Sequence, residues 1–216
     1  MTRSTEGASR FPDFSAPSTR QRLNELRVVF DVARAPLSTP RLLGAPRGDG
    51  RPMFVLPGFG AADGSLIPLR QYLAGRGHYV SGWGLGRNTG DVEGLLDRFL
   101  PRLEQRVESA GRPANLAGWS LGGVIARAAT RERPDLVYKV ATFGTPLFGP
   151  SANRVGRPFP RPILAIHSKN DGIVDWRSCI DDETPFALNI EVSATHFGMG
   201  LSPDVMVHLA RWFAAD

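Results

Sequence analysis

Ser120 stands between glycines in "NLAGWSLGGVIARA" (115–128), directly after a short apolar run and directly before a helix-like one. Gly118 and Gly122 occupy the places two before and two after it, giving G-x-S-x-G. A serine raised on a sharp strand-to-helix corner needs an unusual backbone, often with positive φ, and neighbours without side chains. The helix that begins there points its free N–H groups at the hydroxyl, where they can receive an anion. Such a serine becomes a nucleophile only beside a base. His196, in "SATHFGMG", fits that part, because neutral imidazole can take the hydroxyl proton and return one near neutral pH. His78, His167 and His208 fall at the start of a strand, inside a strand and within a helix, and fit less well. The acid that would hold the imidazole in one tautomer is Asp171 or Asp175, both in "SKNDGIVDW". Asp171 is favoured because it follows His167 by four residues, where that strand should end. Asp181, Asp182 and Glu183 read as a solvated acidic loop. Donors for a developing oxyanion are expected from the backbone N–H of Leu121 and of Phe59, the latter in "LPGFGA" (56–61). Singly, these residues also read as a turn serine, a loop histidine and a simple βα turn.

What must position them is a series of strands and helices. Short apolar or alternating runs predict strands at 53–56, 78–83, 114–118, 137–144, 162–168 and 186–193. Helical patterns fall between them at 64–77, 91–111 and 120–134, and a last one follows Ser202, a helix-capping candidate. The alternation predicts an α/β chain with a mostly parallel sheet and helices on both faces. Ligands of such sheets bind outside the carboxyl ends of the strands. Ser120, the acid and His196 follow three different strands in that chain order, so the same edge receives all three. Residues 1–50 divide off as a polar tail, a helix expected over Leu23, Leu26, Val29, Phe30 and Ala33 behind a cap at Ser18 or Thr19, and a Pro/Gly-rich connector. Residues 51–216 form the expected catalytic domain, and no chemistry is assigned to the first fifty.

With these residues in view, the chain resembles the α/β-hydrolase superfamily, of the lipase/esterase type, from about residue 52 onward. The resemblance rests on "LPGFGA", "GWSLGG", "SKNDGIVDW" and "THFGM". "FGTPLFGP" is similar to the G-T-P-x-x-G segment of bacterial lipases and of related deacylases acting on lipid anchors. "GWSLGG" is similar to the elbow of carboxylesterases acting on acyl-carrier-protein esters. The resemblance implies a serine ester hydrolase with the triad Ser120, Asp171 and His196. Two positions depart from the pattern: Pro57 precedes Gly58 where many relatives have histidine, and Leu147 replaces the histidine of G-T-P-H. Many relatives also insert a helical cap where this chain has only "TPLFGPSANRVGRPFPRP" (145–162), so no cap domain is expected. Leu147, Phe148, Val155 and Phe159 are the apolar residues there that could shield a pocket.

Composition narrows the partners. The chain has 216 residues, 42% of them hydrophobic, which suits one core. The formal charge is +5, carried by arginines scattered without a basic stripe, so nucleic acid is not an expected partner. Cys179 is the only cysteine and reads as a small buried apolar residue, which excludes an internal disulfide and thiolate zinc sites. "GWGLGRNTG" fails the dinucleotide spacing and reads as a loop over the site. No metal or cofactor is expected, no segment is apolar enough to cross a membrane, and the cytoplasm is the expected compartment. The reading is hydrolysis of small-molecule or lipid esters with an apolar acyl part, bound by Trp119, Phe148, Phe197 and Met199. An acyltransferase or thioesterase on the same fold is the first alternative. A non-catalytic ligand receptor or interaction module is the second, and a complete triad argues against it.

Overall fold

Runs such as "MFVL" bury both faces of a strand, and this chain uses them to build one sheet. The computed structural model describes Glu25, residues 39–147 and residues 159–214. Apart from Glu25, the helix expected over residues 19–35 lies outside that description. In chain order the elements are α1 (Thr39–Leu43), β1 (Pro52–Leu56), α2 (Ile67–Gly75), β2 (Tyr79–Gly82), α3 (Val92–Ala110) and β3 (Ala114–Trp119). They continue with α4 (Leu121–Glu132), β4 (Val137–Phe143), β5 (Ile163–His167), β6 (Leu188–Glu191) and α5 (Pro203–Ala214). The six strands pair in the order β2-β1-β3-β4-β5-β6, and every pairing is parallel.

The period-two alternation of strand side chains divides the core into two layers. Met53, Val55, Ala117, Ala141, Phe143 and Leu164 face α2 and α5. Phe54, Leu56, Leu116, Val140 and Ile163 face Phe99 and Leu103 of α3 and Ile125 and Ala129 of α4. The helix predicted from residue 64 starts later. Asp63–Leu66 is a 3-10 turn, and α2 begins at Ile67 with Pro68 in its first turn, where a missing N–H costs nothing. Helix α3 runs from the Asp91 side chain, which accepts the Gly94 N–H, to Gly111 in the left-handed region.

Register keeps the strand ends level. Leu56 lies opposite Gly118, Trp119 opposite Phe143, Phe143 opposite Ile166 and His167 opposite Glu191. The loops that follow β1, β3, β4, β5 and β6 therefore emerge along one edge. The chain runs from β1 to β2 on one side and returns to β3 on the other, so the crevice of this sheet opens between the ends of β1 and β3.

Two expectations change. Asp181 is not solvated: it is buried against Arg127 of α4, with Nη1 and Oδ2 2.6 Å apart, and also accepts the N–H and hydroxyl of Thr184. Burial acts to raise its pKa, but the Arg127 charge and these hydrogen bonds outweigh it and hold the carboxyl below the usual range. Asp182 and Glu183 are exposed as read. Phe159 does not shield a pocket. It is buried in the layer of α3 and α4, with the guanidinium groups of Arg127 and Arg131 4.5 and 5.4 Å from its ring centre. Leu147 is likewise buried, and residues 148–158, with Phe148 and Val155, lie outside the described residues.

Candidate active site

Ser120 joins β3 to α4 without a loop. Its φ is 53° and ψ −124°, a conformation that L-residues rarely adopt. The strain is held from several sides: its N–H donates to Phe143 O at 2.9 Å, and Thr145 Oγ1 donates to its carbonyl at 2.9 Å. A β-carbon on Gly118 would run into the backbone of Gly122 and Gly123, and one on Gly122 into the Leu56 and Pro57 carbonyls. The two glycines are thus where backbones cross, and the second crossing presses the elbow against the loop after β1. The side chain of Ser120 stays half-exposed.

His196 and Asp171 meet across the loops after β6 and β5. Nδ1 lies 2.7 Å from Asp171 Oδ2, with the two residues 3% and 1% exposed. An ionised carboxylate can only accept, so Nδ1 donates and Nε2 is left as the free ring nitrogen. Asp171 Oδ1 accepts the N–H groups of Ile173 and Val174 at 2.9 and 2.7 Å, which fixes the carboxylate plane. Asp175 is engaged elsewhere. It caps the turn Trp176–Cys179 through the Arg177 N–H and sits 3.5 Å from the Arg177 guanidinium. Of the two aspartates in "SKNDGIVDW", only Asp171 reaches the imidazole.

Gly144, which follows β4, opens the space for that pair. Its φ is 58°, and a β-carbon there would lie 3.2 Å from His196 Nδ1 and 3.3 Å from Asp171 Oδ2. Trp119 brings His196 to the elbow. Its Nε1 donates to the His196 carbonyl at 3.2 Å, and the two rings are 5.6 Å apart. Because Ser120 is the next residue, the histidine loop is anchored to the corner that carries the serine.

The loop after β1 packs on the same corner. A β-carbon on Gly58 would touch the Ser120 β-carbon at 3.1 Å. Asn88, fully buried in the segment after β2, holds this loop: Nδ2 donates to Pro57 O, its N–H to Ala61 O, and its carbonyl accepts the Gly60 N–H. Phe59 lies inside the bracketed turn, and Leu121 is the first residue of α4, where an N–H has no partner within the helix.

The four residues expected to bind an acyl group separate. Phe197 is 52% exposed beside Trp119 and His196, and Phe59 is 70% exposed over Gly90. Trp119 is buried beneath the histidine, and Met199 is fully buried with its sulfur against Gly144. Phe148 is outside the described residues. Of the other histidines, His78 is buried near Phe213, His167 ends β5 and stacks on Trp176, and His208 lies within α5. The Cys179 thiol is buried, and burial pushes its pKa well up, so it is inert as a nucleophile.

Three features escaped the sequence. Asn88 and Gly144 sit in loop segments whose composition marks a turn but not a partner. The third is Glu25. Its Oε1 accepts the N–H of Gly172 at 2.7 Å and of His196 at 2.9 Å, and Oε2 accepts that of Phe197 at 3.1 Å. Among the described residues there is no group of three or more His, Cys, Asp or Glu placed to hold a metal ion, and no helix long and apolar enough to cross a membrane.

The parallel sheet, its two helix layers and the strained serine corner define the α/β-hydrolase fold, and comparison with solved structures gives the same class. An α/β-hydrolase enzyme, MGS-MChE2, from the metagenome of lagoon sediments at Mar Chica, Morocco, superposes with a TM-score of 0.57 at 20% identity, over 77% of this chain and 92% of that one. Lipase B of Aspergillus fumigatus superposes with a TM-score of 0.64 at 14% identity, over 78% of this chain and 53% of that one. Among curated proteins, the chain is similar to the pimeloyl-[acyl-carrier protein] methyl ester esterase of Shewanella sp. (strain MR-7), at 29% identity over 147 residues. That match takes in 65% of this chain and 52% of the relative, about half of the relative's length. No family model matches the chain.

Proposed function

We propose that this chain is a serine hydrolase of carboxylic esters with an apolar acyl part. The observation that carries the reading is the buried His196–Asp171 hydrogen bond, anchored through Trp119 to the corner where Ser120 is held at positive φ. In this reading Ser120 Oγ attacks the ester carbonyl carbon while His196 Nε2 takes its proton. The carbonyl oxygen becomes an oxyanion that accepts from the N–H groups of Phe59 and Leu121. The carbon–oxygen bond to the alcohol then breaks, and His196 returns the proton to that alcohol, leaving an acyl-serine. Water attacks the acyl-serine, gives its proton to His196, and the carboxylic acid leaves as Ser120 regains its hydrogen. Asp171 keeps the imidazole in the tautomer that frees Nε2 and stabilises the imidazolium.

The exposed rings of Phe59, in the loop packed on the Ser120 corner, and of Phe197, beside Trp119 and His196, support an apolar acyl group. The name of the Shewanella relative, an esterase of a methyl ester on an acyl-carrier protein, supports an ester of a small alcohol. Several arginines are already committed to carboxylates, as in Arg127–Asp181, Arg133–Glu104, Arg112–Asp49 and Arg41–Asp204, which supports a partner set without nucleic acid. A single, buried cysteine suits action in the cytoplasm. The test is turnover of nitrophenyl esters of increasing acyl length beside the matching thioesters. Faster hydrolysis of the esters is expected. Turnover of thioesters alone would replace the reading with a thioesterase, and no turnover of either would remove it.

A further inference from the structure

We infer that Glu25 is a positioning residue for the Asp171–His196 pair, so that the hydrolysis proposed above depends on a carboxylate from the N-terminal region outside the hydrolase motifs. Glu25 is the one described residue before Thr39, and it is 9% exposed. Its three hydrogen bonds all go to backbone N–H groups beside the reacting pair. Gly172 directly follows Asp171, His196 is the base itself, and Phe197 follows it. The separations in sequence are 147, 171 and 172 residues.

The pattern of donors explains why a carboxylate is used. In the acid loop three successive N–H groups turn inward; Asp171 Oδ1 accepts those of Ile173 and Val174, and Glu25 accepts that of Gly172. In the histidine loop Thr195 accepts the N–H groups of Gly198 and Met199, and Glu25 accepts those of His196 and Phe197. One ionised group with two oxygens can accept all three remaining donors, and such bonds are short and strong. The two loops also touch through Ser168 Oγ, which accepts the Ala194 N–H, and through Asn170 and Ser193. Those contacts join the loops before the pair. Glu25 joins them at the pair, and its oxygen on the His196 N–H sets the backbone from which the imidazole projects. A buried donor that loses its partner draws the backbone toward another, which would swing Nε2 away from Ser120.

The experiment uses the full chain as wild type, Glu25→Ala and Glu25→Gln. Burst titration with a nitrophenyl ester counts working sites, so that kcat is expressed per site, and KM and thermal unfolding are measured alongside. Glu25→Ala should lower kcat per site on the order of a hundredfold, the cost of a small misplacement of a reacting group. KM should stay within about twofold, because ground-state binding is not touched. Glu25→Gln keeps an oxygen for Gly172 and His196 but turns an amide N–H toward that of Phe197, and should fall between the two. Wild-type kcat per site in Glu25→Ala would overturn the inference. So would a loss confined to the number of working sites, or a rise in KM alone, since either marks a purely structural role. Should Glu25→Ala not fold, Glu25→Gln decides: reduced kcat per site supports the inference and unchanged kcat overturns it. A wild type without burst or turnover is a different failure. It removes the ester-hydrolase reading itself, and this inference with it.

Discussion

Asp171 has no spare oxygen. Oδ2 faces the imidazole, and Oδ1 is taken by two backbone N–H groups. An asparagine in its place must either aim N–H at His196 Nδ1, forcing the wrong tautomer, or give up the bonds that orient it. In the proposed reading Asp171→Asn should therefore lower kcat by about 10⁴-fold, the loss seen when the aspartate of a Ser-His-Asp triad becomes asparagine. Asp175→Asn, which disturbs only the cap on Trp176–Cys179, should leave kcat near wild type; equal losses in the two variants would contradict the assignment. The His196–Asp171 contact and the strained Ser120 corner were legible because a serine between glycines, an acid and a histidine each follow a predicted strand. Glu25 was not, because its partners lie far along the chain and nothing local distinguishes it from a solvated helical glutamate. Trp119 and Met199 were legible as neighbours of the site but not as buried residues, since an apolar side chain beside a motif reads alike whether it faces substrate or core.

The loop after β1 owes its shape to the segment that follows the neighbouring strand, β2. Asn88 makes three hydrogen bonds to residues 57–61; two run through its backbone, and the third, from Nδ2 to the Pro57 carbonyl, is the one that Asn88→Ala removes. Asn88→Ala should loosen the Phe59 N–H while leaving the Phe197 ring in place. Steady-state kinetics should show a fall in kcat smaller than the roughly 10²–10³-fold cost of losing an oxyanion donor outright, with KM little changed. An unchanged kcat would mean that the loop holds its shape alone. Strands β1, β3, β4 and β5 were readable as apolar runs because both faces are covered by helices. The edge strand β6 is shorter than its run suggests, since one side lacks a neighbour to extend the ladder. Asp181 was misread because its partner Arg127 lies on α4, far back in the chain, and pairing at that range has no local pattern.

For the whole molecule, three histidines weaken the fold in mild acid. His78, His167 and His208 all have pKa values lowered from about 6.5, in each case chiefly by burial. Neither ring nitrogen of His78 has a hydrogen-bond partner among the described residues, and burial outweighs the Asp49 charge that favours a proton there. Below about pH 6.5 the unfolded chain takes up protons that the folded one refuses. The stability these groups contribute is present above that pH and is lost as pH falls through their lowered values. The urea midpoint should be lower at pH 5.5 than at pH 7.5 with an unchanged slope; an equal midpoint would contradict this. The second property is access to the site. The interval between β4 and β5 is short and rich in proline, which disfavours a stable helix, so a helical lid of the lipase kind is not expected from it. Dissolved short and medium esters should be hydrolysed without activation at an oil–water surface. A sharp rise in rate as substrate passes its solubility limit would contradict that.

The central claim is that Ser120 carries the acyl group. The most direct measurement is mass spectrometry of protein quenched in acid during turnover of a nitrophenyl ester, followed by peptide mapping. The account predicts an added acyl mass on the peptide holding Ser120 in the wild type, accumulating in Asp171→Asn if deacylation slows, and absent from Ser120→Ala, which should fold normally without turnover. An acyl adduct on another residue, or undiminished turnover by pure Ser120→Ala, would contradict it.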